Sequence, residues 1–185
     1  MRVSEHQPDA ETKGGSRMKS SIALFVVVLA VSLTLTAVFA SPLMAKTKYI
    51  WPGALEPEME NQEYRQRQAS IFLKPGVDSG GFYAPVKLPV GAVVTRVDIF
   101  YQGSDGNAEL AVSLSRVKMG EGLWSSLLDD MVRFNPTGYT GGEVTSLSST
   151  NITTPKIQKN RLYYLYLDLR DDGAVFNGAK IYYNK

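Results

Sequence analysis

His6 is the only imidazole in the sequence, and there is no thiol at all. It precedes an apolar segment that reads as an export signal, so the chain from residue 46 onward holds neither group. Ser-His-Asp and Cys-His catalysis both need an imidazole base. Zinc and copper sites rely on imidazole or thiolate ligands. For that part of the chain, those chemistries are excluded.

Carboxylates remain. A glycoside hydrolase needs two carboxyl groups about 5–10 Å apart, and Asp98, Glu109, Glu143 and Asp168 fall on or near predicted strands. The same residues also read as solvated outward positions, because none has a second carboxylate at a telling spacing. Asp171-Asp172-Gly173 and Asp129-Asp130 could offer oxygens to Ca²⁺. An Asp-rich turn needs no ion, however, since Asp tolerates turn backbone by itself. No other cofactor is expected.

The third chemistry is aromatic. All ten tyrosines and both tryptophans lie after residue 45. Tyr164, Tyr166 and Tyr182, with Phe100, occupy outward phases of their predicted strands, near Arg161, Arg170 and Lys180. A flat ring with a polar rim suits stacking on a sugar. Tyrosine also favours strands and subunit contacts for reasons of packing alone. The candidate ligand-binding set is therefore Tyr164, Tyr166, Tyr182 and Arg161, with a polysaccharide or a second copy of the chain as partner. Residues 46–185 carry 16 basic and 15 acidic side chains. That balance offers no footprint for nucleic acid.

These residues need elements to hold them, and the chain after residue 45 reads as strands. Short apolar or alternating runs recur between Gly, Pro, Asn and Asp. Tyr49–Trp51, Ala69–Leu73 and Phe82–Leu88 open the series, with Pro85 restricting the third to an edge or irregular position. In Val93–Gln102, Val93, Val97, Ile99 and Tyr101 share one face against Arg96 and Asp98. Ser104–Asn107 predicts a hairpin loop into Glu109–Val117, whose Leu110, Val112 and Leu114 point inward. Val144–Ser149, Leu162–Leu169 and Val175–Tyr183 complete the run, with Tyr163, Leu165, Leu167 and Leu169 on one face. Glu56–Gln68 reads as a long loop or short helix, and Trp124–Phe134 as helix or strand. About eight strands with turns every eight to twelve residues predict an all-β fold: two antiparallel sheets packed as a jelly-roll-like sandwich.

The start of the chain predicts export. Lys19, the apolar run Ile22–Phe39 and a small-residue ending follow the order of a signal peptide, with cleavage after Ala45 or, alternatively, Ala40. The rival reading is an uncleaved anchor in the cytoplasmic membrane, since Ile22–Phe39 is at the short end of a span. Residues 1–17 read as an upstream extension from a misassigned start, because Lys13-Gly14-Gly15 can be encoded by a ribosome-binding-site-like stretch before Met18. The expected organisation is thus 1–17, a signal over 18–45, and one sandwich domain over 46–185. The expected location is secreted, periplasmic or at the cell surface. Asn151-Ile152-Thr153 fits a glycosylation acceptor, which carries little weight in a bacterium.

Tyr49-Ile50-Trp51-Pro52-Gly53, the run Phe82-Tyr83-Ala84-Pro85-Val86-Lys87-Leu88-Pro89-Val90-Gly91-Ala92, Ser104-Asp105-Gly106 and Gly178–Tyr183 come in one order. In this the chain resembles a group of uncharacterised secreted bacterial proteins with a YAPVxLPxGAxVT core. The resemblance spans roughly residues 48–185 and implies one sandwich domain that includes Tyr49–Trp51. It implies no activity. Gln102-Gly103 departs from the Asp-Asn-type turn of the group. Taken together, the sequence predicts a non-catalytic exported binding or structural domain, with a carboxylate-pair glycosidase as the alternative.

Overall fold

A computed structural model describes residues 45–67, 69–120 and 128–185. The upstream extension, the export segment with Ala40, and Trp124 lie outside the described residues. Ala45 is the first residue described. Among the described residues, no helix is long and apolar enough to cross a membrane.

The described residues form eleven strands: β1 (Lys46–Ile50), β2 (Glu56–Pro57), β3 (Tyr64–Arg67), β4 (Ser70–Leu73), β5 (Gly80–Pro85), β6 (Val93–Gly103), β7 (Leu110–Lys118), β8 (Asp129–Phe134), β9 (Thr145–Ser149), β10 (Arg161–Leu169) and β11 (Ala174–Asn184). Sheet A has the order β3-β4-β11-β6-β9, and β1 also pairs with β11. Since β6 runs along one edge of β11, β1 and β4 occupy successive stretches of the other. Sheet B has the order β2-β5-β10-β7-β8. All pairs are antiparallel.

The pairing is nested. β7 meets β8, β6 meets β9, β5 meets β10 and β4 meets β11, alternately in sheet B and sheet A. A long hairpin rolled into two layers has this pattern, and the β11–β6 and β10–β7 contacts close each sheet. The fold is a jelly-roll sandwich. Eight strands form the nest; β1, which the sequence predicted at Tyr49–Trp51, lies at Lys46–Ile50 and joins the edge of β11, and β2 and β3 are further additions at the edges.

The core lies between the sheets. Val97, Ile99, Phe176 and Ile181 of sheet A face Val112, Leu114, Leu165, Leu167 and Phe82 of sheet B, all fully buried. Without a disulfide, this apolar contact must outweigh the entropy of ordering the chain. β10 follows its sequence pattern closely: Tyr163, Leu165, Leu167 and Leu169 are buried, while Tyr164, Tyr166 and Asp168 face outward, half-buried.

Four readings change. Val94, not Val93, is buried at the start of β6, because the register against β11 skips Thr95 and a bulge flips the phase. Ser104–Asn107 is a corner rather than a hairpin: β6 belongs to sheet A and β7 to sheet B. An Asx turn from the Asn107 N–H to Asp105 Oδ1 (2.9 Å) shapes it, and the Ser104 N–H donates to the carbonyl of Gly173 (2.9 Å) in the neighbouring corner. Glu56–Gln68 holds two short strands, β2 and β3, each finding a sheet edge that its own sequence does not advertise. From Asp129 to Phe134 the ambiguous segment is strand, because β7 offers it an edge and a bulge at Met131 absorbs its helix-like spacing. Pro85 ends β5, beyond the residues that β2 pairs, so its missing N–H costs no ladder bond there.

Candidate functional site

The outer face of sheet A carries three cross-strand rows. Thr47, Tyr182 and Arg96 form one; Tyr49, Lys180, Asp98 and Ser148 form the next; Gly178, Phe100 and Ser146 form the third. Trp51 continues the line of Tyr49 beyond the end of β1. A tyrosine and a tryptophan two residues apart share a face, and their rings lie 5.8 Å apart at 12°. Trp51 is anchored from behind: Gln66 Nε2 donates to the carbonyls of Pro52 (2.7 Å) and Leu55 (3.1 Å) in the turn that follows.

Between Trp51 and Phe100 the third row has no side chain. Gly178 sits there at φ 129°, beside a β11 bulge at Asn177. A Cβ at Gly178 would meet the Ile50 carbonyl at 3.1 Å. Only glycine adopts this backbone cheaply, and its missing side chain leaves a hollow of about 340 Å³. Tyr49, Trp51, Phe100 and Val144 line it, together with Asn177. Trp51 is 60% exposed and Tyr49 47%. Asn177, at the bulge, lines this hollow; its Nδ2 donates to the Ala69 carbonyl (3.3 Å), and its Oδ1 is buried with no donor among the described residues.

The rows beside the hollow are charged. Arg96 grips Asp98 through Nε–Oδ1 (2.6 Å) and Nη2–Oδ2 (3.0 Å). Burial pushes the Asp98 carboxyl up, but hydrogen bonds from Arg96, Ser148 and Tyr182 outweigh it and hold the group below its ordinary value. The expectation that Asp98 is a solvated outward residue is corrected: it is 4% exposed, covered by the arginine two residues away. Lys180 Nζ lies over the rings of Tyr182 (4.7 Å) and Tyr49 (5.2 Å), and hydrogen bonding to those two phenols raises its pKa.

Tyr164 and Tyr166 are on the other side of the molecule, on the outer face of sheet B. Tyr182 does not join them. Tyr164 packs edge-on against Tyr83 at 6.3 Å. Tyr166 Oη donates to Glu58 Oε2 (3.0 Å), and burial followed by that contact pushes the phenol well above its ordinary range. Gly81 makes the contact possible, because a Cβ there would strike the Glu58 carboxylate. Across β7 and β8, the buried Ser113 and Ser115 and the half-buried Asp130 form a hydrogen-bonded line. Arg161 opens β10 and lines a separate hollow with Tyr164.

The carboxylates are mostly engaged. Arg170 stands between Glu109 (Nη1–Oε1, 2.5 Å) and Asp168 (Nε–Oδ2, 2.8 Å), which raises its own pKa. Two of the sequence candidates therefore meet, with a guanidinium between them. Asp168 also shares an open cleft of about 620 Å³ with Glu58 and Tyr166. Glu143 is exposed on the loop before β9. Asp171 Oδ1 accepts from the Gly173 N–H (2.7 Å) and Asp172 Oδ2 from the Gly76 N–H (2.8 Å). Asp129 pairs with Arg116. Among the described residues, no three His, Cys, Asp or Glu side chains converge to hold a metal.

Sequence reasoning picked out Tyr182, Phe100 and Lys180 on sheet A but missed Trp51, Asn177 and Gly178. The alternation Tyr49–Trp51 ahead of Pro52-Gly53 was the available signal. Asn177 and Gly178 gave none, since their role depends on a bulge.

No family model matches the chain, and no curated protein matches it. Solved structures match the chain at low identity. Among them is a family two carbohydrate esterase from Cellvibrio japonicus, at 12% identity and TM-score 0.42, covering 77% of this chain. This chain spans about a third of that esterase (35%). The C-terminal CBM6 of a marine laminarinase from Zobellia galactanivorans matches at 11% identity and TM-score 0.43, covering 76% of this chain and 100% of the module. A low-affinity xylan-binding module, CBM86, from Roseburia intestinalis matches at 10% and 0.43, covering 76% and 96%. Similarity this slight carries no argument about function.

Proposed function

We propose that this chain is a non-catalytic carbohydrate-binding domain that works outside the cytoplasm, taking a neutral sugar in the hollow on sheet A. The observation that carries this reading is the glycine gap at Gly178, walled by the exposed rings of Trp51 and Tyr49 and the half-buried ring of Phe100. Exposed aromatics around an apolar hollow of this size form a ligand cleft at the small end of the usual range. Sugar faces stack on such rings. Asn177 adds a polar residue to the lining of the same hollow. Export rests on the sequence of residues 18–45.

Affinity electrophoresis and calorimetry against neutral polysaccharides test it. Trp51→Ala should weaken retention about 30-fold, the ~2 kcal/mol typical of a buried aromatic anchor. Loss on Tyr164→Ala with no effect of Trp51→Ala would instead place the site on sheet B, and a dimer in gel filtration dispersed by Trp51→Ala would make the patch a self-association surface.

One observation favours a second reading. Glu58 and Asp168 face a common cleft, so a carboxylate-pair hydrolase has a location. Release of reducing ends from polysaccharide, abolished by Glu58→Gln, would support it. The tyrosine on one carboxylate and the arginine on the other favour a structural role.

A further inference from the structure

A second hollow, of about 240 Å³, lies at the Arg161 end of sheet B. Three cations line it: Lys87 from the segment after β5, Lys159 from the turn before β10, and Arg161 itself. Among the described residues, no acidic side chain lines it. Arg96, Arg116, Arg133 and Arg170 each hold a carboxylate. Lys87, Lys159 and Arg161 have none within ion-pair distance among the described residues. Arg161 itself lines the hollow, and its buried Nε–H has no acceptor among the described residues.

A guanidinium that lines a hollow without a carboxylate partner gains a charge-assisted hydrogen bond when an anion enters. The guanidinium fork suits an oxyanion, which can take two of its N–H groups together. Beside it, Tyr164 offers a ring held edge-on by Tyr83. The walls are tied down as well: Ile157 and Ala92 are linked backbone to backbone (2.7 Å), and the Gln158 N–H donates to Tyr163 Oη (2.8 Å). A cationic pocket of fixed shape is therefore in place before any ligand enters.

We propose that this hollow is an oxyanion site, with Arg161 as the anchor, Lys87 and Lys159 as the surrounding charge, and Tyr164 as the platform for a ring that carries the anion. The two sources of that chemistry are a carboxylate on an acidic sugar and a free inorganic anion. The site is independent of the Trp51 hollow, which lies on the opposite sheet.

Calorimetry on the full chain with trigalacturonate, inorganic sulfate and an uncharged trisaccharide tests the proposal. Trigalacturonate should bind, and Arg161→Gln should weaken it about tenfold or more. Lys87→Gln/Lys159→Gln changes only exposed side chains, keeps the fold, and should weaken binding in the same direction. Trp51→Ala should leave it unchanged, so that failure of the neutral-sugar reading and failure of this one are told apart. Sulfate binding as tightly as trigalacturonate, and losing affinity in the same variants, would support the site with a free anion as its ligand. Absence of binding by either anion at millimolar concentration, or binding unaffected by both variants, would overturn the proposal.

Discussion

The two outer faces of the sandwich share a scaffold and differ in what they leave unsatisfied. On sheet A, the hollow is apolar, and the neighbouring charges Arg96 and Asp98 neutralise each other. On sheet B, the Arg161 hollow is lined by three cations that hold no carboxylate among the described residues. One face suits a neutral ring and the other an oxyanion. Near-neutral composition hides this, because charge becomes specific only where the fold gathers it and leaves it unpaired.

The contrast can be broken in three places. Leu165 is fully buried between the faces. Leu165→Ala should cost about 2–5 kcal/mol of stability, read by denaturant unfolding. The folded fraction should keep both ligand affinities; loss of only one would show that the faces do not share a common core support.

Asp98 belongs to sheet A alone. Asp98→Asn should cost about 1–3 kcal/mol at neutral pH, since a buried, hydrogen-bonded charge is removed from its arginine. Its folded carboxyl titrates below the ordinary value, so its contribution is present above about pH 4 and is lost as pH falls through the folded value. The variant and parent should therefore converge in stability in acid, and a difference that persists there would refute the assignment.

Tyr166 is the smaller lever, on sheet B. Tyr166→Phe removes one hydrogen bond to Glu58 and should cost about 0.5–1.5 kcal/mol. The phenol's raised pKa makes its contribution complete below the unfolded value near 10, and progressively lost above it as pH rises toward the folded value. Ultraviolet titration should show one tyrosine fewer ionising late in the Phe variant.

The same faces show what a sequence can convey. β10 was legible residue by residue, because it runs without a bulge and alternates cleanly. β6 was legible only in its middle: the bulge at Thr95 changes phase, and Asp98 looked solvated because a side chain's cover cannot be seen in alternation. Turn chemistry at Ser104–Asn107 announced a reversal without saying which sheet the chain enters next. Arg161 and Tyr164 were selected and do share a hollow with nearby Lys159, yet Lys87 reaches it from a distant segment. The Gly178 gap needed β1, β11 and β6 side by side, and no local signal encodes that meeting.

β11 pairs with β1, β4 and β6, and every one of those partners precedes it by at least seventy residues. During synthesis or export, sheet A therefore waits for a strand that emerges at the far end of the chain. Until then β1, β4 and β6 present open edges, and the interval between their emergence and that of β11 is when a neighbouring strand could capture them. The aromatic hollow, which depends on Gly178, cannot exist before that moment.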